Sequence, residues 1–503
     1  MAVKQVGKNW TKTSALKSVA WFFLHFCIYI ILAAGLLLGD KLSDLGSFMR
    51  EQGANYLYAV FCTFLLITIT YFYFFFENRE ILHSGRSITL VFLIIYVYLI
   101  LSCIIGYNYH VYARPVALVA LLTYMLIGRR DAVFMNVIGT MLIFVIDTFA
   151  VPDLSNKECY SSLIIAFSAG MISIFCCGKT RTRFSVVLIG LFIVIPIDLI
   201  IMMLETSDFV GSTAQDIMQQ PSFQLVLTKM GFGFFGGVMS AVLFIAMLPV
   251  FEALFNCLTV FRIRELTSSD SRILQKLKLE APGTYNHSMI VAQLAEASAA
   301  AIGENVDYAR AAALYHDVGK LHYPEHFTEN QGDYNLHDEL TPELSADIIR
   351  SHAKDGYVLI RNHRLPDFLA DIALQHHGTM PIRYFYAKAL KMTDGELNIE
   401  DFSYMGPKPQ TKLAAIIMIC DAAEAAVRAV NARNADEAEK AIRSVIEERM
   451  DLEQFAECDI TMVDLTRIRY ALVDALTGVY HHRIQYPNIK YRRTENGTKG
   501  ENQ

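Results

Sequence analysis

His316 and Asp317 stand side by side in the stretch LYHDVGKLHYP, and Lys320 follows three residues on. An imidazole beside a carboxylate can hold a transition metal or hand on a proton. One such dipeptide in a chain of 503 residues carries little weight alone, so the question is whether other ligand types recur. They do. His287 lies in GTYNHSMIVAQLAE, His352 in RSHAKDG, His376 and His377 in LQHHGT, and Asp421 in IMICDAAEA. Asp421 is flanked by apolar residues on a helical pattern, where a carboxylate is costly unless a cation balances it. Five imidazoles and two carboxylates make a mixed nitrogen and oxygen set. Such a set suits iron, manganese or zinc rather than magnesium or calcium. It is too rich for one tetrahedral ion. Two ions sharing a bridging carboxylate would use all seven residues.

The elements that must carry these ligands are helices. From Ala281 onward the apolar residues recur at helical spacing, and no alternating stretch of any length suggests a strand. The ligand candidates fall at or near helix ends, or on otherwise apolar helical faces. Gly395, Pro407 and Pro409 mark a loop over about 391–410. On that loop and just after it, Lys408, Gln410 and Lys412 can reach a phosphate or a base, although a solvated loop uses the same residue types. Tyr384, after the histidine pair, can stack on a base or simply pack. Glu424, one turn after Asp421, can orient a ligand or face water.

The other half of the chain is of a different kind. Hydrophobic residues make up 53% of the sequence, mean hydropathy is +0.32, and the excess is concentrated before residue 255. A membrane-spanning helix needs about 20 apolar residues. Eight stretches qualify: 19–38, 56–76, 88–107, 112–127, 132–151, 159–178, 184–204 and 230–251. The fourth is the weakest, because its clean apolar part is short. It can instead form a re-entrant hairpin with the fifth around GRRD. Loops bearing Lys4, Lys8, Lys12, Lys17, Arg79, Arg86, Arg129, Arg130, Lys179, Arg181 and Arg183 alternate with loops holding only Lys41, Arg50, Arg114, Lys157 and Lys229. The richer side is expected to be cytoplasmic, and eight spans return the chain to it. Asp147, Asp198 and Glu205 fall toward span ends, where anchoring at the interface competes with a ligand or ion site.

The expected organisation is a cytoplasmic N-terminus over 1–18, a membrane domain over 19–255, a helical connector over 256–280, a helical domain over 281–487 and a disordered tail over 488–503. The fold class is therefore all-α, a polytopic helical membrane domain followed by a cytoplasmic helical one. Net charge is −6, which argues against a partner that is a nucleic-acid polymer. The nine cysteines lie mostly inside apolar runs and show no disulfide spacing.

The order H…HD…H…HH…D resembles the two-metal members of the HD superfamily of metal-dependent phosphohydrolases. The stretches PGTYNHSMIVAQLAEAS, YHDVGKLHYPEHFTENQ, HDELTPELSADIIRSHAKDG, QHHGTMPIRYFYAKAL, GPKPQTKLAAIIMICDAAEAAVRA and CDITMVDL are similar to one subfamily, the seven-transmembrane HD phosphodiesterases that degrade cyclic di-AMP. The resemblance covers most of 280–490 and, by span count, the membrane part from about 56. It implies one metal on His287, His316, Asp317 and Asp421 and another on His352, His376 and His377, with Asp317 bridging and Lys320 facing the scissile phosphate. It also implies manganese or iron as the two ions, with zinc as an alternative, and hydroxide activated by both of them cutting cyclic di-AMP to pApA. The setting implied is a bacterial cytoplasmic membrane, with the lipid bilayer and a cyclic dinucleotide as partners and a homo-oligomer as an open option. The family usually carries a large extracytoplasmic domain after its first span, and here only about 39–55 separates the first two spans. Rival readings are an HD enzyme of another cyclic dinucleotide, or a membrane receptor or transporter whose HD module only binds nucleotide. The GYP motif of the cyclic di-GMP class is absent from the sequence, and none of the seven ligand types is missing.

Overall fold

The computed structural model describes residues 12–38, 45–150, 154–178, 180, 182–206, 221–332, 334–392, 396–432 and 434–479. The tail expected over 488–503 and the first eleven residues lie outside that set. The chain divides into two compact units, Met1–Ser268 and Ser269–Gln503. Among the described residues both are helical. The only strand-like pairing among the described residues is an isolated bridge between Pro381 and Ser403.

The first unit contains α1 (Lys12–Leu38), α2 (Leu45–Glu77), α3 (Arg79–Leu82), α4 (Gly85–Asn108), α5 (Leu118–Leu126), α6 (Arg129–Ala150), α7 (Asn156–Cys177), α8 (Arg183–Glu205), α9 (Pro221–Phe255) and α10 (Val260–Leu266). Seven of these helices, α1, α2, α4, α6, α7, α8 and α9, are long and apolar enough to cross a membrane. This is a multi-pass membrane unit.

The fourth expected span differs. At nine residues, α5 is about 14 Å long, short of the roughly 30 Å hydrocarbon core. Polar contacts nevertheless place the two ends of this stretch at opposite ends of α6. Tyr107, near the end of α4, donates to Asp147 near the end of α6 at 3.0 Å. Asn78, just after α2, donates to Asp131 at the start of α6 at 3.1 Å. The path from Tyr107 to Asp131 therefore runs from one end of the bundle to the other. Its first half is a 3-10 turn (Val111–Ala113) and extended chain, and its second half is α5. Pro115 explains the break, since the residue before a proline is pushed out of helical conformation. Arg114 has ψ of 147° accordingly. Non-helical backbone at membrane depth is tolerated when protein encloses it, and Val111 to Arg114, Val116 and Ala117 are all buried. Close approach by α9 requires Gly236, where a Cβ would stand 2.6 Å from the Arg114 carbonyl oxygen and 2.7 Å from that of Tyr112.

Asp147 does not reach toward headgroups as its place near a span end suggested. Its carboxylate takes two hydrogen bonds from Arg114, at 2.6 and 2.8 Å, with both side chains 1% exposed. Burial of either charge alone would be prohibitive, so each is held by the other. Glu205 is likewise engaged, accepting from Tyr112 at 2.8 Å and Lys229 at 3.1 Å. Asp198 Oδ1 is buried without a hydrogen-bond partner.

The second unit contains α11 (Arg272–Glu280), α12 (Pro282–Ile302), α13 (Val306–Tyr315), α14 (Pro342–Asn362), α15 (Asp367–Gln375), α16 (Arg383–Leu390), α17 (Lys412–Ala429), α18 (Ala435–Asp451) and α19 (Met462–Val479). Proline at the first position of α12 and α14 fits the missing N–H at a helix start. Alanines let the central helices approach closely. Ala295 and Ala299 on α12, Ala309, Ala312 and Ala313 on α13, and Ala414, Ala415 and Ala423 on α17 are all buried. Around them Leu294, Ile416, Ile417 and Ile419 are fully enclosed, each such side chain stabilising by about 1.5–3 kcal/mol. The ligand helices α12, α13, α14, α15 and α17 meet in this core.

Candidate metal centre

Each candidate ligand is fixed by its helix. His287 sits in the second turn of α12, and His316 and Asp317 directly follow α13. His376 and His377 directly follow α15, and Asp421 lies midway along α17. His352 is in the middle of α14, not near a helix end as its sequence neighbours suggested. Gly319 permits the convergence. A Cβ there would stand 1.9 Å from the His352 carbonyl oxygen and 2.4 Å from the Gly356 amide nitrogen. The segment behind Asp317 is thus pressed backbone to backbone against α14.

The structure brings all seven residues to one place. Asp317 is at the centre, 2% exposed. Its Oδ2 lies 3.2 Å from His316 Nε2 and 3.9 Å from His287 Nε2. Its Oδ1 lies 3.3 Å from His352 Nε2 and 3.6 Å from His376 Nε2. Asp421 Oδ1 is 3.0 Å from His287 Nε2 and 3.8 Å from His316 Nε2. His377 Nδ1 is 3.8 Å from Asp421 Oδ2. The ligand atoms of His287, His316 and Asp317 form one compact group, and those of His352, His376 and His377 form a second.

Hydrogen bonds fix which ring nitrogens are free. Nδ1 of His316 faces the Ala313 carbonyl at 2.6 Å, that of His352 the Ile349 carbonyl at 2.6 Å, and that of His376 the Ala373 carbonyl at 2.7 Å. Each Nδ1 therefore carries a proton, so in the neutral ring it is Nε2 that presents a lone pair. His287 Nδ1 donates to Glu424 Oε2 at 2.9 Å in the same manner. The Nε2 atoms of His352 and His376 are only 3.2 Å apart, yet neither neutral ring has a proton there to offer the other. Nitrogens sharing one ion at about 2.1 Å and meeting near a right angle stand about 3 Å apart. His316 Nε2 and Asp317 Oδ1 are buried without hydrogen-bond partners. The donor set thus fits cations.

The electrostatics agree. Burial alone would raise the Asp317 carboxyl, but the charge on His316, which the carboxylates push up to about 10 and whose Nε2 proton a cation would displace, and that on Lys320 outweigh it and hold its pKa well below the usual range. Asp421 is likewise pulled down, the hydrogen bond with His287 and the nearby His316 overcoming burial. Burial lowers His376 and His377, keeping both imidazoles neutral and fit to ligate. Lys320 Nζ stands 2.8 Å from Asp317 Oδ2 and 2.8 Å from Glu329 Oε1, and these carboxylates outweigh burial to keep it charged.

The four candidate substrate contacts are placed less tightly. Lys412 is engaged by Asp464 at 2.8 Å. Gln410 donates its side-chain amide to the Lys408 carbonyl at 3.0 Å and to Glu457. Tyr384 is 66% exposed. The Lys408 ammonium has no ion pair among the described residues. Sequence reasoning missed Tyr404, whose ring stacks on His377 with centroids 4.2 Å apart. It also missed Phe327, packed edge-on to His352 at 5.6 Å, and Glu329. All three lie in irregular segments, where no periodicity signals which way a side chain turns.

Residues 284–426 match the model of the HD domain, and residues 54–259 match the model described as 7TM receptor with intracellular HD hydrolase. Among curated proteins, the cyclic-di-AMP phosphodiesterase PgpH of Listeria monocytogenes serotype 1/2a (strain 10403S) is 45% identical over 265 residues, which is 52% of this chain and 37% of that protein. PgpH of Bacillus subtilis (strain 168) is 35% identical over 430 residues, 84% of this chain and 59% of that protein. The chain spans less than two thirds of the length of these relatives. A crystal structure of the L. monocytogenes PgpH HD domain in complex with cyclic-di-AMP is 48% identical, with a TM-score of 0.41 over 42% of this chain and 99% of that one.

Proposed function

We propose that the chain, which matches the family model described as 7TM receptor with intracellular HD hydrolase over 54–259 and the HD domain over 284–426, belongs to that family and is a metal-dependent phosphodiesterase that hydrolyses cyclic di-AMP to pApA. The observation that carries the reading is the division of the Asp317 carboxylate, one oxygen toward His316 and His287, the other toward His352 and His376. His287, His316, Asp317 and Asp421 would hold one divalent ion, and His352, His376 and His377 the other, with Asp317 shared. The donor set favours manganese or iron, with zinc as the alternative. When bound, the ions would supply positive charge against the phosphodiester and lower the pKa of a water to about 7.

The protein's own groups do the rest. The Lys320 ammonium adds a fixed charge where negative charge builds in the transition state. Backbone carbonyls and Glu424 orient the imidazoles before substrate arrives. Lys408 and Tyr384 are the proposed contacts to the nucleotide, with Gln410 and Lys412 behind them. We read eight traverses in the first unit, on which the chain leaves α9 at the end of the bundle where α1 begins. Arg86, near the start of α4, donates to the Leu254 carbonyl at 2.7 Å there. We place that end on the cytoplasmic side of a bacterial cell membrane, where the lysines and arginines concentrate.

The test is the full chain in detergent, loaded with Mn²⁺ or Fe²⁺ and given cyclic di-AMP and cyclic di-GMP in parallel. Release of pApA that Asp317→Ala abolishes is the expected result. Preference for cyclic di-GMP would overturn the substrate, and bound nucleotide without turnover in metal-loaded protein would make the domain a binding module.

A further inference from the structure

Lys320 is held by more than the carboxylate it is expected to accompany. Its ammonium is 2.8 Å from Asp317 Oδ2, 2.8 Å from Glu329 Oε1 and 4.9 Å above the centre of the Phe327 ring. Glu329 comes from a 3-10 turn (Thr328–Asn330) that folds back on the start of α12. The same Oε1 accepts from Thr284 Oγ1 at 3.0 Å. Asn330 fixes the turn, accepting from the Thr284 amide at 3.1 Å and donating to Thr284 Oγ1 at 2.8 Å. Thr284 is fully buried, three residues before His287.

An ammonium has three N–H donors and no acceptor. Two are fixed here in known directions by Asp317 and Glu329, and Phe327 covers one flank. The third has a single region left to point into. Without Glu329 the ammonium is free to pivot about Asp317.

We infer that Glu329 is a positioning residue, which aims the third N–H of Lys320 at the scissile phosphate. The inference rests on the phosphodiesterase reading. Glu329 also balances one positive charge beside an anionic substrate. Its removal therefore weakens the chemical step without weakening substrate binding.

The experiment uses the full metal-loaded chain and cyclic di-AMP. Glu329→Gln keeps the shape and the acceptor for Thr284 but removes the charge that holds Lys320. Misplacing a group by about 1 Å can cost on the order of 100-fold, so kcat is expected to fall about 10- to 100-fold. KM is expected not to rise, and metal content to stay at the wild-type value. Glu329→Asp, which keeps the charge, should recover part of kcat. In a Lys320→Ala background, Glu329→Gln should cost almost nothing more, because residues acting as a unit are not additive. Equal losses in both backgrounds, or lost metal in Glu329→Gln, would make the role merely structural. Wild-type protein that turns over no cyclic dinucleotide would overturn the activity and this role together. Turnover in wild type with undiminished kcat in Glu329→Gln would overturn the role alone.

Discussion

Glu424 Oε2 stands 2.9 Å from His287 Nδ1, and the glutamate side chain is 1% exposed. A buried carboxylate behind an imidazole fixes the ring's tautomer and raises its strength as a ligand. Removing such a partner typically weakens metal binding by about 10- to 100-fold. Glu424→Gln is expected to lose metal to a chelator over that range while keeping its helical circular dichroism. Unchanged metal retention would show that Glu424 serves packing only.

Gly319 has no room for a methyl group. The contacts at 1.9 and 2.4 Å are with backbone atoms of α14, which cannot swing aside as a side chain can. Gly319→Ala is expected to separate Asp317 from His352 and to cost at least as much bound metal as Glu424→Gln. Elemental analysis checks it. Full metal content with full turnover in the variant would show that α14 shifts without consequence.

In the membrane unit, Arg114 and Asp147 bury opposite charges against each other. Breaking a buried pair by removing one partner typically costs about 3–5 kcal/mol, whereas replacing both with apolar residues can be neutral. Asp147→Leu alone should lower the melting temperature in detergent sharply, and the Arg114→Leu, Asp147→Leu double variant should recover most of it. A double variant as unstable as the single one would contradict this account.

The Lys412 and Asp464 pair gives a pH signature. The hydrogen bond from Lys412 lowers the Asp464 pKa, and the same bond raises that of Lys412. A depressed carboxyl contributes stability above its unfolded pKa of about 3.9 and loses it as pH falls further. A raised ammonium contributes below about 10.4 and loses it as pH rises beyond. The melting difference between wild type and Asp464→Asn should therefore be steady near neutrality and shrink below about pH 4. Its size should be under about 1 kcal/mol, as for a pair near the surface. A difference that grows on acidification would reverse the sign of the argument.

Much of this was legible in the sequence because ligand chemistry and helical periodicity leave local marks. The all-helical class, seven of the eight expected apolar spans and the HD resemblance could be read from local runs, about 20 residues for a span and fewer for a ligand motif. What could not be read depends on chain that folds back. Glu329 reaches Lys320 through irregular turns, and Tyr404 reaches His377 across the long loop. Asp147 looked like an anchor because its distance from the span end was visible and Arg114 was not visibly near it. The broken fourth crossing had a signal in Pro115, whose effect on Arg114 is local and calculable.

Ser271, the residue that opens α11, has its hydroxyl 2.6 Å from the hydroxyl of Tyr315. Tyr315 is the last residue of α13, and His316 is the next in the chain. α11 also packs against the 3-10 segment that bears Lys320. The first helix of the second unit is thus fastened directly to the residue that precedes His316. Between α11 and the His316–Asp317 pair there is only that hydroxyl contact and the packed turn.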